Sequence, residues 1–76
     1  MELDELLISE TSPLAGLSVR ETEAHRTHKL LVVAIKKSDD RLIFNPDAEY
    51  VFQPADIVIF LGHNDDITRF RKQFDR

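Results

Sequence analysis

The chain has 76 residues, enough for one small domain but too few for a full nucleotide-binding fold with a second, substrate-binding domain. Acidic residues outnumber lysine and arginine by 14 to 10, and the net charge of −4 argues against nucleic acid as a partner, because phosphate binding requires a concentrated basic surface. Cysteine is absent, which excludes disulfides and cysteine nucleophiles. The apolar runs are far shorter than the roughly 20 residues that span a bilayer, so no direct membrane insertion is expected.

The first half of the chain predicts a strand, a helix and a second strand. Leu3–Glu10 is typical of a strand, and Gly16 in the following turn suits a backbone conformation that other residues resist. The segment "SVRE" (18–21) has the pattern of a capping box, in which a serine and a glutamate satisfy each other's backbone amides at a helix start. A polar helix is therefore predicted for Val19–His28. The β-branched run Leu30–Ile35 predicts a strand that is buried on both faces.

The middle of the chain predicts a hairpin and two turns. The polar segment Lys36–Asp40 forms the hairpin turn and Arg41–Phe44 its second strand. Further turns are predicted at Asn45–Asp47 and Gln53–Asp56, because proline presets φ and Asn and Asp side chains bond to their own backbone. Between these turns, Glu49–Phe52 is predicted to be a short extended piece.

A buried strand at Ile57–Gly62 and a helix capped by Asn64 or Asp65 complete the predicted elements. The helix carries one apolar stripe, at positions i, i+3 and i+7, that is expected to pack on the core: Ile67, Phe70 and Phe74. The order β-α-β-β-β-α predicts an α+β fold, a small mixed β-sheet sandwich with its helices on one face. The opposite face of the sheet is expected to stay apolar, which suggests dimerisation.

No catalytic residue, metal site or cofactor is predicted. The acidic candidates are interpreted as turn residues rather than paired catalytic carboxylates: Asp39, Asp40, Asp47 and Asp56. The serines have no base placed beside them by spacing, which disfavours a hydrolase. His25 and His28 share a helix face and His63 follows a strand, but no acidic partner accompanies them. Solvated histidines are therefore preferred over an anion contact or a metal site.

Three basic residues flank the predicted hairpin: Lys36, Lys37 and Arg41. They are interpreted as an ordinary solvated turn, because charged residues are common at exposed hairpin tips. The alternative is a contact with an anionic ligand or with a neighbouring domain.

Five segments carry a resemblance by their order and spacing: "SPLAG" (12–16), "VRE" (19–21), "VVAIKK" (32–37), "NPD" (45–47) and "PADIVIFLGHNDDITRF" (54–70). Together they resemble the C-terminal subdomain of regulator-of-K+-conductance proteins, the RCK-C or TrkA-C domain. The resemblance covers the chain from about Leu6 to Phe74. The chain departs from the usual pattern at Lys29 and Ala55, where family members commonly carry glycine.

The resemblance implies a regulatory module rather than an enzyme. Such domains usually lie on the cytoplasmic side of potassium channels, potassium uptake systems and some antiporters, follow a nucleotide-binding Rossmann subdomain (RCK-N), and pair as homodimers. Residues 1–76 are therefore expected to form a single domain that is a fragment of a longer potassium transport protein. The alternative is a free-standing soluble dimeric interaction module with no transport role.

Some members of the family bind a small ligand, in some cases cyclic di-AMP, between the two copies. The resemblance places such a site for a small anionic ligand at these residues: His25, Arg26, Lys29, Leu31 and Val33. Cyclic-di-AMP-binding members tend to carry an arginine near the end of the first helix and an asparagine entering the second strand. Here those positions are His25 and Leu31, so poor binding of cyclic di-AMP is expected, unless Arg26 and Lys29 compensate. Leu31 and Val33 suit either the core or the dimer interface.

Overall fold

Four strands form one sheet in the order β1-β4-β2-β3, and every neighbouring pair is antiparallel, where a mixed sheet was expected. The computed structural model describes residues 1–23 and 30–74. Its elements are β1 (Glu2–Leu7), α1 (Val19–Glu23), β2 (Leu31–Lys36), β3 (Leu42–Phe44), β4 (Ile57–Gly62) and α2 (Asn64–Phe74). The last strand therefore lies between the first and the second. The predicted α+β class is confirmed.

Both helices contribute to a core on one face of the sheet. The α2 stripe is buried as predicted, and Phe70 lies between two other rings, with centroids 5.1 Å from Phe60 and 5.0 Å from Phe74. Val19 of α1 is buried in the same cluster. Each aromatic pair of this kind adds about 0.5–1.5 kcal/mol beyond the area it buries, so Phe70 is central to the packing of α2.

The predicted capping box is present at the start of α1. The Ser18 Oγ accepts a hydrogen bond from the Glu21 amide, and the Glu21 carboxylate accepts one from the Ser18 amide, each at 3.1 Å. Two amide groups that have no partner inside the helix are thereby satisfied. The described part of the helix is Val19–Glu23, and the remainder of the predicted helix falls in 24–28, outside the described residues.

The strand predicted at Leu3–Glu10 begins one residue earlier and ends at Leu7. The reason is a backbone contact at the next residue. The Ile8 amide donates to the Asp56 carbonyl and its carbonyl accepts from the Ala55 amide, both at 2.8 Å, so Ile8 is bonded to a turn instead of a strand.

The segment predicted to be extended at Glu49–Phe52 contributes only one isolated bridge, between Val51 and Ser18. Its Tyr50 carbonyl accepts from the Val19 amide at 2.9 Å. The segment therefore holds the start of α1 and is not a strand of the sheet.

Two other predicted boundaries differ by a residue or two. Helix α2 starts at Asn64, and the His63 carbonyl accepts its first bond, from the Ile67 amide at 2.9 Å, so His63 and not Asn64 or Asp65 is at the cap position. Lys36 belongs to β2 and not to the hairpin turn.

Candidate functional site

The face of the sheet opposite the helices is apolar and has no helix on it in the described parts of the chain. The strand register places three rows of side chains on this outer face. The rows are Leu3–Leu61–Leu31, Glu5–Ile59–Ala34–Phe44 and Leu7–Ile57–Lys36–Leu42. Nine of these side chains are apolar and two, Glu5 and Lys36, are charged.

Large apolar side chains on the outer face are open to solvent. The exposed fraction is 64% for Leu3, 57% for Leu31 and 70% for Phe44. The prediction that β2 is buried on both faces is therefore wrong for this chain. A run of β-branched residues is also compatible with a strand that has one covered and one uncovered apolar face. The expectation that this face stays apolar is confirmed.

The outer face is comparable in area to the largest apolar patch of a typical soluble monomer, and such patches are often functional. Three strands of six residues and the three-residue β3, spaced about 4.8 Å apart with a rise of about 3.4 Å per residue, give a projected area of roughly 340 Å². Contiguous apolar patches of a few hundred Å² on soluble proteins often mark interaction sites. A hollow of about 280 Å³ opens at the β1 side of this face, lined by Leu3, Asp4, Glu5 and Ile59.

A buried ion pair joins the hairpin to the turn before β4. The Asp56 side chain is 2% exposed and the Lys37 side chain 14%. The Lys37 ammonium donates to Asp56 Oδ1 at 2.7 Å, while the Tyr50 hydroxyl at 2.6 Å and the Gln53 amide at 3.1 Å donate to Oδ2. The same ammonium donates to the Tyr50 hydroxyl at 2.8 Å. One carboxylate thus accepts from three donors on three segments.

The network shifts the protonation of two of its members. The hydrogen bond from Lys37 to the Asp56 carboxylate, with a smaller contribution from Tyr50, raises the pKa of Lys37 above its ordinary value. Burial, followed by the hydrogen bond to Asp56, raises the pKa of the Tyr50 hydroxyl. Both groups therefore keep their protons across the neutral range.

The Asp56 network fixes a strained turn. Ala55 has φ 75°, in the left-handed region that favours glycine, and it follows Pro54 as the third residue of the turn Gln53–Asp56. Proline second and a positive φ third define a type II turn. The Asp56 amide closes it by donating to the Gln53 carbonyl at 3.1 Å. The geometry gives a reason for the glycine that family members commonly carry at this position.

Sequence reasoning missed this network. Asp56 was interpreted as a turn residue and Lys37 as part of a solvated turn, yet both side chains are largely buried. A usable signal was present, since each residue borders a buried apolar run, Lys37 at the end of "LLVVAI" and Asp56 directly before "IVIFLG". Buried charges of opposite sign in such places require each other.

The residues predicted to contact a ligand are only partly described. His25, Arg26 and Lys29 lie outside the described residues. Leu31 is exposed on the outer face, and Val33 is half-buried at the bulge where the register of β2 against β4 shifts. Within 1–23 and 30–74, no three potential metal-ligating side chains come together. His28, considered as a metal ligand with His25, is also outside these ranges.

Comparison with known proteins identifies the class of domain. The family model described as the TrkA-C domain matches residues 3–75. The chain belongs to this family, whose domains are regulatory. In the described residues no helix is long and apolar enough to cross a membrane.

Solved structures agree with the family. The chain is similar to the RCK_C domain dimer of S. agalactiae BusR in complex with c-di-AMP, with 25% identity and a TM-score of 0.80 over 99% of this chain and 97% of that one. It is similar to the RCK C domain of the potassium transport protein KtrA in complex with c-di-AMP, with 28% identity and a TM-score of 0.79 over 93% and 80%.

A third structure is S. agalactiae BusR with its busAB-promoter DNA, with 26% identity and a TM-score of 0.80. It covers 96% of this chain but 35% of that one, so the similarity concerns about a third of that protein. The BusR protein that contains this similar domain is bound to DNA, which conflicts with the expectation that no nucleic acid is a partner.

Proposed function

We propose that this chain is the dimeric regulatory domain of a potassium channel or cation transporter, on the cytoplasmic side of the membrane. In this proposal it follows a Rossmann subdomain, RCK-N, of the same protein and is not catalytic. Its family and its similarity to the RCK C domain of KtrA support a role in potassium transport.

The apolar outer face is the observation on which the dimer rests. Phe44 on the edge strand β3 and Leu31 on the inner strand β2 are more than half exposed, on a chain that carries 32% charged residues. An isologous pair of such faces removes this surface from water on both copies at once. The similar BusR domain is described as a dimer, which agrees with pairing here. A ligand or a membrane subunit that changes how two copies pair could then change the activity of the attached pore.

The test uses the whole gene that contains this segment. Cells that carry the gene with the codons for these 76 residues deleted are compared with cells that carry the intact gene, by uptake of rubidium as a potassium tracer at limiting and ample potassium. We expect the deletion to leave uptake present but no longer regulated. Phe44→Ser, which adds a polar group to the outer face without touching the core, should reproduce the loss of regulation. Equal regulation in all three strains would refute a role in transport.

A second candidate is the regulatory domain of a promoter-binding protein, supported by the similarity to BusR bound to its promoter DNA. It is distinguished in the same strains by transcript levels. If the deletion changes transcription of neighbouring genes and leaves rubidium uptake kinetics per transporter unchanged, this candidate replaces the first. If the gene ends at these residues and neither readout changes, the free-standing dimeric interaction module is favoured.

A further inference from the structure

The two charged side chains of the outer face lie on opposite sides of its central strand. Glu5 is on β1 and Lys36 on β2, with β4 between them, and they stand one row apart along the strands. A strand spacing of about 4.8 Å and a rise of about 3.4 Å per residue separate them by roughly 12 Å. The midpoint falls on β4 between Ile57 and Ile59, at the centre of the apolar face.

Their charges are weakly neutralised within the protomer. Among the described residues no ion pair includes the Glu5 carboxylate, and Lys36 meets only Asp40, at 3.7 Å, with both side chains well exposed. The neighbouring carboxylate of Asp4 is different, because Arg71 donates to it at 3.1 and 3.2 Å. Glu5 and Lys36 can therefore pair with opposite charges on a partner surface.

We infer that two copies of this chain pair outer face to outer face, with Glu5 of each copy against Lys36 of the other. This inference rests on the proposed dimer and specifies its register. A two-fold axis parallel to the sheet, passing over β4 between Ile57 and Ile59, exchanges the two charged positions, so both ion pairs form together. By the same spacings the strands of the two sheets cross at roughly 70°, nearer to orthogonal than to aligned packing.

The hollow beside Glu5 suits the incoming lysine. It is lined by two apolar residues, Leu3 and Ile59, and two acidic ones, Asp4 and Glu5. A lysine can lay its aliphatic stem along such apolar surface while its ammonium reaches a charge at the end. The like-charge alternative, Glu5 against Glu5 across the axis, is disfavoured by repulsion. Charge complementarity therefore selects one register among the many that a flat apolar face allows.

The test is charge reversal, read by sedimentation equilibrium of the 76-residue chain at low and high salt. Glu5→Lys and Lys36→Glu each replace two attractive contacts per dimer by two repulsive ones, and we expect each to raise the dimer Kd about tenfold or more. The double variant Glu5→Lys/Lys36→Glu restores both pairs and should return Kd to within about threefold of the original. Matched controls are Glu10→Lys and Lys72→Glu, which make the same charge changes at exposed positions away from the face.

Three results would overturn the inference. The first is single variants that associate as tightly as their controls, and the second is a double variant as weak as the singles. The third is an unmodified chain that sediments only at 8.8 kDa in the hundred-micromolar range, which also refutes the proposed dimer. Phe44→Ser separates the remaining cases. If it dissociates the dimer while charge reversal has no effect, the face is right and the register is wrong; if it has no effect, the dimer uses another surface.

Discussion

Replacing Asp56 by alanine should be among the most damaging single changes to this domain. The substitution leaves the Lys37 ammonium, the Tyr50 hydroxyl and the Gln53 amide without their shared acceptor. Removing one partner of a buried ion pair costs about 3–5 kcal/mol, and we expect the lower end, about 3 kcal/mol, because Lys37 keeps the Tyr50 oxygen. A domain of this size has roughly 4–11 kcal/mol of total stability at 0.05–0.15 kcal/mol per residue.

The assay is thermal unfolding followed by circular dichroism at pH 7. At about 4–8 °C per kcal/mol for a domain of this size, Asp56→Ala should lower the Tm by about 12–24 °C. The matched control is Asp47→Ala, an exposed turn aspartate that accepts one bond, from the Glu49 amide at 2.9 Å. A Tm for Asp56→Ala within about 3 °C of the control would refute the claim that this carboxylate holds the turn. A double-mutant cycle with Lys37→Met should show coupling above 1 kcal/mol if the two act as a pair.

Three further predictions have independent readouts. Phe70→Ala removes the ring that contacts Phe60 and Phe74, and it should lower the free energy of unfolding by about 3–5 kcal/mol in urea titration. An unchanged urea midpoint would mean that α2 does not pack on the sheet. Stability should be constant between about pH 7 and pH 9 and fall above about pH 10, because the raised pKa values of Lys37 and Tyr50 contribute stability that is lost as these protons dissociate. A urea midpoint that stays flat to pH 11 would contradict this. Cyclic di-AMP should bind poorly, because His25 lacks the charged guanidinium of an arginine and Leu31 has no polar side chain. A Kd below about 10 μM by isothermal titration at pH 7.5 would show the reverse.

Features determined by neighbours in the chain could be predicted from the sequence. The capping box needs only a serine and a glutamate three residues apart, and both of its hydrogen bonds are present. The apolar stripe of α2 follows from helical periodicity alone. The outer face of the sheet could also be anticipated, since the predicted elements offered too few apolar helix positions to cover two faces.

Features determined by residues that are distant in the chain could not be predicted from the sequence. Asp47 and Asp56 both occur in proline-containing turns and have the same local signature, yet Asp47 is exposed and Asp56 is buried. The difference is made by Lys37, which lies 19 positions from Asp56 in the chain. For the same reason the sequence did not show that the extended segment at Glu49–Phe52 makes an isolated bridge instead of joining the sheet. Whether such a piece joins the sheet depends on where the other strands leave an edge, which local pattern does not reveal.

The insertion of β4 between β1 and β2 determines when the domain can fold during synthesis. Strand β1 (2–7) cannot pair until residues 57–62 of β4 have been synthesised. One edge of β2 (31–36) also stays unpaired until then. Only the β2–β3 hairpin has partners close in sequence, so most of the sheet closes late and as one event. A chain cut before residue 57 keeps two open strand edges and an uncovered core, which makes it a substrate for proteases and aggregation. A chain that ends before residue 57 therefore cannot form the four-stranded sheet on which the core packs.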